Sequence, residues 1–378
     1  MSPDEPIHRL EELARTAAVQ ARQDYGLILN PEELEPVDRI LRAEAVRSDP
    51  QRRELLAAVY GAWLGEVARS RWPAKWVGLS EPVAPRLNVA GLLISPIDAV
   101  RRRLESPATE TFVALFQQLE AWIQGQKAAQ ADALSVNRDA WNRLSTDARY
   151  AGEGELPPDA PAAREAIDEW LRNEVDGKDL LCLGAGGGRQ GPLHAIAGAR
   201  VTVVDLSEQQ LEHDRRAAES RWLAVRTLAA SLDDLSALEA ASFDVVLQPV
   251  SACYVPDVEK VYAQVARVLR RGGLYVVQHK HPASLQGSSE PMAGGYLLAR
   301  PDIEGSALPP EPKAPHRDGD SVEFIHSLDS LLGGLCRAGF TIEDYREPPR
   351  ADAWAPAGSA AHRASYLPPY LKIKARRV

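Results

Sequence analysis

Residues 181–191 read LCLGAGGGRQG, a short apolar run that passes directly into a glycine-rich turn. Glycines between a strand and a helix let the backbone approach a ligand closely and expose the N–H groups at the helix start. From Gly186 onward the turn also matches GxGxxG, a pattern of dinucleotide sites, but Arg189 stands where a frame beginning at Gly184 needs Gly or Ala. By itself the turn is weak evidence for a ligand, because tight strand–helix packing also selects glycine.

On both sides of this turn, apolar runs of strand length alternate with amphipathic runs of helical length. Ser207 and Gln210 form a capping box for one helix, and Gly272-Gly273 is expected to end another that begins after Asp257. Such alternation implies right-handed β–α–β crossovers, so we predict an α/β fold with a Rossmann-like, seven-stranded, mostly parallel sheet and helices on both faces. The predicted strands are LLCL (180–183), VTVVD (201–205), WLAVRTL (222–228), FDVVLQ (243–248), LYVVQ (274–278), FTIEDYRE (340–347) and YLKIKARR (370–377).

Residues 1–130 show a different pattern and are predicted to form a smaller, helix-rich α+β domain. Pro31 is expected to begin one helix, and a second run carries apolar residues on one face between Leu55 and Val67. After two strand-like pieces, WVGL and LNVAGLLI, a helix is expected to start at Ser95-Pro96 and a last one to span Thr109 to about Ala128. No catalytic cluster is visible in this part of the sequence.

Composition limits the kind of protein that this chain can be. Its 378 residues suggest two domains, and 45% hydrophobic with 26% charged residues is ordinary for a folded protein. The net charge of −9 gives no overall basic field, so we expect no nucleic-acid partner. Cys182, Cys253 and Cys336 form no CxxC or Cys/His cluster, so we expect neither a disulfide framework nor a metal site. With neither a secretory leader nor an apolar stretch of membrane-spanning length, a cytoplasmic location is expected.

Asp205 ends the second predicted strand of the α/β part. A carboxylate at that position can accept hydrogen bonds from both ribose hydroxyls of an adenosine-containing ligand. A helix-capping role is the alternative, but Ser207 fits that role better. Because S-adenosylmethionine (SAM) and NAD both carry this ribose, Asp205 predicts an adenosine ligand without choosing between them.

Beyond the glycine turn and Asp205, the order of the later segments is informative. The chain carries, in order, LCLGAGGGRQGP, VTVVDLS and SFDVVLQPVSACYVPDVEKVYAQVARVLRRGGLYVV. In this order they resemble the first motif, the acidic loop, and the fourth and fifth motifs of the class I SAM-dependent methyltransferases. A bacterial group of uncharacterised methyltransferases is similar in more detail, in GPLHAIAGARVTVVDLS, QPVSACYVPD, EFIHSLDSLLGGLCRAGF and LPPYLKIKARR, and in an Asn-x-x-x-Trp segment matched here by Asn137 and Trp141.

This resemblance covers about residues 135–378 and implies that residues 131–378 form a SAM-dependent methyltransferase domain, preceded by an accessory domain of unknown function at 1–130. The cofactor-binding residues that it implies are Trp141, Gly184, Ala185, Gly186, Gly188, Gln190, Asp205, Leu206, Ser231, Leu232, Pro249 and Val250. Cys182 departs from the family pattern, since many members have an acid there. Ser231 also departs, because many members have the Asp that binds the adenine amino group. Both departures suggest modest cofactor affinity or compensation by Arg189, Gln190 or the backbone.

Methyl transfer from a sulfonium is an in-line displacement, which needs alignment, exclusion of water and in some enzymes a base. In open α/β sheets the ligands lie beyond the carboxyl ends of the strands. Tyr254 follows the fourth strand and His279 and His281 follow the fifth, so these three are the catalytic candidates; an imidazole titrates near neutral pH. The alternative for both histidines, which stays equally open, is that they are solvated loop residues or support the structure through hydrogen bonds. Further candidates for contact with the acceptor are Gln248, Ser251, Cys253 and Lys280, with His326 as a lesser one and Tyr296 as part of the wall.

A Pro- and Gly-rich insertion at residues 279–322 is predicted to cap the substrate site as a mobile lid. We expect a small-molecule acceptor and no membrane partner. For residues 1–130, shaping the acceptor site, forming a homodimer and binding a partner all stay open. Three alternative functions also stay open: a non-catalytic SAM-binding module that regulates a partner, an NAD-dependent oxidoreductase, which Arg189 disfavours, and a macromolecule methyltransferase.

Overall fold

The computed structural model describes residues 5–77, 85–89, 92–106, 111–151, 155–292, 294–298, 300, 303–308, 311, 314 and 316–378. The chain divides into two compact units, Met1–Lys127 and Ala128–Val378. Each unit buries a hydrophobic core of its own. Among the described residues, no helix combines the length and the apolar character that crossing a bilayer requires.

The first unit is mainly helical because its apolar residues recur at helical spacing. Its helices are α1 (Glu5–Tyr25), α2 (Glu35–Arg47), α3 (Pro50–Arg71), α4 (Pro96–Glu105) and the first part of α5 (Phe112–Leu144). Three short strands, β1 (Ala74–Val77), β2 (Arg86–Val89) and β3 (Leu92–Ile94), form an antiparallel sheet. α3 is the most buried of these helices, and Gly65 on it lies against the ring of Trp76, where a Cβ atom would overlap the ring.

Two helix starts in this unit differ from the sequence-based prediction. Pro31 lies in a turn, and the proline in the first turn of α2 is Pro36. The last helix continues through Ala128 to Leu144, because helix-forming residues continue along that stretch without a Gly or Pro stop. The predicted start of that helix at Thr109 and parts of the strand-like pieces, 78–79 and 90–91, lie outside the described residues.

The second unit alternates strands and helices. Its strands are β4 (Asp179–Leu183), β5 (Arg200–Asp205), β6 (Val225–Ala229), β7 (Phe243–Gln248), β8 (Leu269–Lys280), β9 (Ala307–Leu308), β10 (Glu323–Phe324), β11 (Phe340–Arg346) and β12 (Tyr370–Arg377). Besides the rest of α5, its helices are α6 (Ala160–Ala166), α7 (Gln190–Ile196), α8 (Glu208–Glu219), α9 (Val258–Val268), α10 (Pro282–Gln286), α11 (Gly334–Arg337) and α12 (Ala360–Ala364). A 3-10 turn at Ala252–Tyr254 follows β7, and a π-helical turn at Asp329–Gly333 leads into α11.

Seven strands form the main sheet in the order β11-β12-β8-β7-β4-β5-β6. The strands from β8 to β6 are parallel neighbours, whereas β12 is antiparallel to both β8 and β11. Leu181 and Leu183 of β4 pack into one core, and Leu180 and Cys182 pack into the other, because successive side chains of a strand point to opposite faces. The predicted Rossmann-like, mostly parallel sheet is therefore confirmed.

Two element boundaries in this sheet differ from the prediction. β6 begins at Val225, and Trp222, predicted to start this strand, has φ of 56° and is 97% exposed. α9 ends at Val268 because Leu269 already pairs with Phe243 across the sheet. At its other end β8 extends as far as Lys280, because β12 pairs with His279 and Lys280, so the residues expected in a loop after LYVVQ belong to the strand itself.

Candidate active site

The glycine turn between β4 and α7 needs glycine for steric reasons. Gly184 has φ of +59°, and a Cβ atom on it would lie 2.5 Å from Ser251 Oγ. Gly187 has φ of +110°, and a Cβ atom there would lie 2.5 Å from the carbonyl oxygen of Tyr150. Side chains are disfavoured at such φ values, and both approaches are closer than carbon contacts allow. The turn, which we call the glycine loop (residues 184–188), is thus closely packed by its neighbours.

Two carboxylates hold the glycine loop by accepting hydrogen bonds from its backbone N–H groups. Asp205 accepts the N–H of Gly186 at 3.0 Å on one oxygen and that of Ser207 at 2.9 Å on the other. Asp214, a fully buried residue of α8, accepts the N–H of Gly188 at 3.0 Å. Burial raises the pKa of Asp205, and burial together with the charge of Asp205 raises the pKa of Asp214 to about 7. The loop conformation therefore depends on acidic groups that lie in a water-poor environment.

A cavity of about 290 Å³ lies in front of the glycine loop, at the carboxyl ends of β4, β5 and β7. Apart from Gly188, which faces Asp214, all the predicted cofactor-binding residues line it. The described residues that line it are Leu134, Asn137, Trp141, Arg149, Tyr150, Gly184, Ala185, Gly186, Gly187, Arg189, Gln190, Asp205, Leu206, Gln210, Ser231, Leu232, Pro249, Val250, Ser251, Tyr254 and Val255. The sequence prediction thus named residues that the fold brings together from distant segments.

Three aromatic side chains form one wall of this cavity. Trp141 makes edge contacts with Tyr150 and Tyr254, with ring centroids 5.2 Å apart in each pair. The phenol groups of both tyrosines donate to the same carboxylate, Asp318, at 2.7 Å and 2.5 Å. Asp318 belongs to the insertion at 279–322, so this residue of the insertion contacts two residues of the cavity lining.

Asn137 positions this aromatic wall. Its amide nitrogen donates to the carbonyl oxygens of Tyr254 at 2.9 Å and Val322 at 3.0 Å, and its amide oxygen accepts the N–H of Val322 at 2.8 Å. Asn137 and Trp141 are four residues apart and share one face of α5. The Asn-x-x-x-Trp segment therefore combines a backbone clamp with a cavity wall, a role that the resemblance did not specify.

Gln210 is a cavity residue that the sequence analysis assigned to a different role. Only one of the two hydrogen bonds of the capping box forms. Gln210 donates its backbone N–H to Ser207 Oγ at 3.1 Å, but the side chain of Gln210 does not accept the backbone N–H of Ser207. Both amide atoms of the Gln210 side chain are buried and have no partner among the described residues. They lie beside the glycine loop, since a Cβ on Gly187 would be 3.0 Å from Gln210 Oε1. A buried amide without partners indicates that a polar ligand group belongs there.

Ser231 lines the cavity at the end of β6, where the family pattern has an aspartate. Its hydroxyl donates to the carboxylate of Asp233, two residues further on. The oxygen of Ser231 is therefore free to accept a hydrogen bond, and the acceptor is strengthened by the neighbouring charge. Asp233 was not predicted, because from the sequence it is one of two successive aspartates in a loop.

The two histidine candidates do not line this cavity, and this corrects the prediction for them. His279 is buried within β8, and its Nε2 pairs with the hydroxyl of Tyr262 at 2.9 Å. Burial lowers the pKa of His279 to about 3, so its imidazole is neutral at physiological pH. His281 is the N-cap of α10 and accepts the N–H of Ala283 at 3.1 Å. Both have structural roles, and neither is placed to take a proton from an acceptor in the cavity.

Tyr254, the third catalytic candidate, does line the cavity, but as a neutral phenol. Burial, and then the charges around it, raise the pKa of Tyr254 well above its usual value. A hydroxyl with so high a pKa donates a hydrogen bond and does not act as a base. The remaining candidates also have partners elsewhere: His326 contacts the carbonyl oxygens of Ala252 and Val255, and Tyr296 pairs with His362.

Gln248 and Ser251, two other acceptor candidates, form a buried hydrogen-bonded pair. Gln248 donates to Ser251 Oγ at 3.1 Å and accepts the hydroxyl of Tyr275 at 2.5 Å. Ser251 lies in the lining, whereas Gln248 does not. Cys253 is also buried, and burial raises its pKa, so its thiol stays protonated. These residues shape the loop after β7 and do not provide a nucleophile.

A different cavity, of about 840 Å³, lies at the amino ends of β4, β5, β6 and β7, where Trp222 and Arg226 line it. That edge of the sheet is opposite to the glycine loop, and ligands of open α/β sheets bind at the carboxyl edge. We therefore do not assign this cavity to the active site. Within the described part of the chain, no cluster of His, Cys, Asp or Glu has a metal-binding arrangement.

The segment that builds the active-site cavity has relatives among known proteins. Residues 181–277 match the family model for a methyltransferase domain. Over 179 residues the chain is 36% identical to an uncharacterised methyltransferase, YbaJ, of Bacillus subtilis strain 168, and the match covers 46% of this chain and 69% of that protein. The chain belongs to the SAM-dependent methyltransferase family. As a member of this family, the enzyme transfers a methyl group from SAM to an acceptor.

Other relatives of this methyltransferase match it over shorter segments or with lower sequence identity. A ubiquinone biosynthesis O-methyltransferase of Idiomarina loihiensis is 34% identical over 107 residues, which cover 28% of this chain and 44% of that protein. A crystal structure of a SAM-dependent methyltransferase from Mesorhizobium loti is 27% identical, with a TM-score of 0.44, and the match covers 57% of this chain and 96% of that one. The residues matched by the family model all lie in the second unit.

Proposed function

We propose that the cavity in front of the glycine loop holds SAM and that the methyl acceptor is a small molecule. The observation that carries the proposal is the Asp205 carboxylate, which lies in the cavity wall at the end of β5, directly beside the glycine loop. Adenosine cofactors place their ribose hydroxyls on a carboxylate at this position of open α/β sheets. Backbone N–H groups occupy only part of the acceptor capacity of a carboxylate, so Asp205 can accept these hydroxyls as well.

The other lining residues fit the remaining parts of SAM. The oxygen of Ser231, backed by Asp233, can accept the adenine amino group. The unpartnered amide of Gln210 offers both a donor and an acceptor to the amino-acid part, beside the close backbone of the glycine loop. We infer that Asp233 and Gln210 compensate for the acidic residues that many family members have at the positions of Ser231 and Cys182. When bound, SAM supplies an electrophilic methyl group.

We propose that catalysis rests on alignment and on exclusion of water, without a side-chain base. The two tyrosines of the aromatic wall stay neutral, because burial and the carboxylate of Asp318 raise the pKa of Tyr150 and of Tyr254. Both hydroxyls are held by Asp318, which fixes the wall against which an acceptor packs. Holding an acceptor in line with the methyl group supplies much of the rate of such displacements.

We further propose residues 131–378 as the catalytic domain, residues 1–130 as an accessory domain and the bacterial cytoplasm as the place of action. The cavity lining supports the first of these, since every residue in it belongs to the second unit. The three cysteines are free thiols, which is usual in a reducing compartment. The relatives from Bacillus subtilis and Idiomarina loihiensis support a bacterial origin.

The site assignment is tested by titrating S-adenosylhomocysteine into Asp205→Ala. We expect at least a tenfold loss of affinity, because a hydrogen-bond acceptor is removed from a water-poor site. The matched control is Asp139→Ala, which removes an exposed carboxylate of α5 and should leave the affinity unchanged. Equal affinities for the two variants would show that Asp205 does not contact the cofactor.

A further inference from the structure

A second cavity is connected to the aromatic wall through the hydrogen bonds of Asp318. Oδ2 of Asp318 accepts the hydroxyl of Tyr254 at 2.5 Å and the ammonium group of Lys280, also at 2.5 Å. Tyr254 lines the cavity in front of the glycine loop, whereas Lys280 lines the second cavity. This second cavity, which we call the basic cavity, has a volume of about 390 Å³ and is lined by Lys280, Ser284, His316, Arg350, Ala360, Ala361, Arg363, Ala364, Leu367, Pro369 and Tyr370.

Cationic side chains dominate the described lining of the basic cavity, and none of the described lining residues is acidic. Arg363 is only 2% exposed, and no described carboxylate lies within ion-pair distance of it. Its guanidinium group donates instead to Ser284 Oγ and to the carbonyl oxygens of Ser284, Gly287 and Ser288. Burial lowers the pKa of Arg363 to about 10, so the group stays charged at physiological pH. Since no described carboxylate pairs with it directly, an anion in the cavity would add favourable charge interaction to these hydrogen bonds.

His316 is a second polar side chain of the same cavity whose hydrogen-bonding groups have no described partner. Both of its ring nitrogens are buried, and neither has a hydrogen-bond partner among the described residues. Burial, followed by the positive charges of Arg363 and Arg317, lowers the pKa of His316 to about 3. The imidazole is therefore neutral and offers one N–H donor and one acceptor to whatever enters the cavity.

The charge of Lys280, unlike that of Arg363, is compensated by described carboxylates. It donates to Asp318 and, at 3.0 Å, to Glu323. Burial opposes its charge, but Glu323 and Asp318 outweigh that effect and raise its pKa. The described lining contains the cations Lys280, Arg350 and Arg363, and of these Lys280 forms ion pairs with Asp318 and Glu323.

We propose that the basic cavity binds an anionic group of the methyl acceptor, a carboxylate or a phosphate. Guanidinium groups bind both anions through paired hydrogen bonds, and an N–H of His316 adds a further donor. The anion would supply the counter-charge that Arg363 lacks. Arg350, exposed at the edge of the cavity, would attract it from solvent. The assignment to the acceptor rests on the proposed function, and it is supported by Asp318, which binds both Lys280 of the basic cavity and Tyr254 of the cavity in front of the glycine loop.

The first test measures anion binding directly, on the full chain and at matched ionic strength. Inorganic phosphate and, separately, succinate are titrated into the wild type, Arg350→Gln, His316→Leu and Arg271→Gln. Arg271 is an exposed arginine at the other end of β8, so Arg271→Gln changes the charge equally without touching the basic cavity. We expect saturable binding of at least one anion, at least fivefold weaker in Arg350→Gln and in His316→Leu, and unchanged in Arg271→Gln. No saturable binding, or equal weakening in Arg271→Gln, overturns the site.

The second test links the anion to the acceptor and is separate from cofactor binding. A panel of small thiols, phenols and amines, each with and without a carboxylate or phosphate, is assayed for transfer from labelled SAM. We expect the accepted compounds to carry the anion, and Arg350→Gln to raise their KM at least fivefold with kcat unchanged. Acceptance of uncharged compounds only would overturn the assignment to the acceptor. Titration of the same samples with S-adenosylhomocysteine separates the two proposals. If S-adenosylhomocysteine does not bind, the proposed cofactor site fails. Binding of phosphate or succinate still tests the basic cavity in that case.

Discussion

At the glycine loop, single residues combine backbone strain with close packing. Gly187→Ala would force an L side chain to φ of +110° and place its Cβ 2.5 Å from the carbonyl oxygen of Tyr150. We expect a loss of stability of more than about 2 kcal/mol from the backbone conformation and the overlap together. S-adenosylhomocysteine affinity should fall at least tenfold, because the loop can relieve the overlap only by moving. Thermal melting and calorimetric titration measure the two effects.

Gly177→Ala is the matched control for that substitution. Gly177 also has a positive φ, of +65°, but nothing lies within 4 Å of a Cβ atom added there. This variant should therefore show only the backbone cost, about 1–2 kcal/mol, and bind S-adenosylhomocysteine like the wild type. If Gly187→Ala binds as well as Gly177→Ala does, close packing of the glycine loop is not required for the cofactor.

Asp214 makes the stability of the second unit depend on pH. Its pKa rises from 3.8 to about 7 in the fold, so the folded chain retains a proton that the unfolded chain releases at lower pH. The stabilisation from this proton is complete below pH 3.8 and is lost as the pH rises through 7. One pKa unit corresponds to about 1.4 kcal/mol, so the loss is of the order of 4 kcal/mol for this fully buried group.

The variant Asp214→Asn removes this titration but keeps an acceptor for the N–H of Gly188. Urea unfolding at pH 5 and at pH 8 compares the variant with the wild type, so other titrating groups cancel. We expect the difference in unfolding free energy to move in favour of the variant by about 3 kcal/mol from pH 5 to pH 8, because only the pH units between 5 and the pKa of about 7 contribute at about 1.4 kcal/mol each. A difference that is the same at both pH values would show that Asp214 is ionised throughout this range.

At the scale of elements, the side chain of Asn137 ties α5 to both the loop after β7 and residue 322. Asn137 is 1% exposed and makes three hydrogen bonds to backbone groups of Tyr254 and Val322. Asn137→Ala leaves those groups buried without partners, so we expect a loss of about 3 kcal/mol of unfolding free energy. S-adenosylhomocysteine affinity should fall too, because Trp141 and Tyr254 lose their common support.

Arg138→Ala serves as the comparison for Asn137→Ala, since Arg138 is exposed on the same helix. It should change neither unfolding in urea nor cofactor affinity by a measurable amount. Should Asn137→Ala behave like Arg138→Ala, the clamp between α5 and the loop after β7 contributes nothing to the site.

Elements with a strong local pattern could be predicted well from the sequence, and elements whose ends depend on pairing could not. β7 and β12 have the predicted bounds. In β12 buried and less buried residues alternate along the strand, and β7 is a short apolar run between turn residues. β8 was predicted too short at both ends. Its first residues look like the end of a helix, and only the partner strand β7 draws Leu269 into the sheet. At the other end, the pairing with β12 keeps His279 in the strand, where it contacts the hydroxyl of Tyr262, whereas the prediction placed it in a loop as a catalytic candidate.

At the scale of the whole chain, the order of motifs predicted the sheet and the location of the cavity. Glycines after β4 and an acid after β5 are local signals, so this half of the site was visible in the sequence. Asp318 and the basic cavity were not, because they bring together residues from β8, the insertion and the segment before β12. The insertion has no hydrophobic periodicity, and long-range contacts of that kind leave no local pattern.

The central claim is that the glycine-loop cavity of this methyltransferase binds the SAM scaffold. Calorimetric titration of the purified full chain with S-adenosylhomocysteine and, separately, with NAD tests it most directly. We predict saturable binding of S-adenosylhomocysteine at one site per chain with micromolar affinity, and no binding of NAD, because Arg189 stands where a dinucleotide-binding loop needs a small residue. Binding of NAD alone, or of neither compound, would contradict the account.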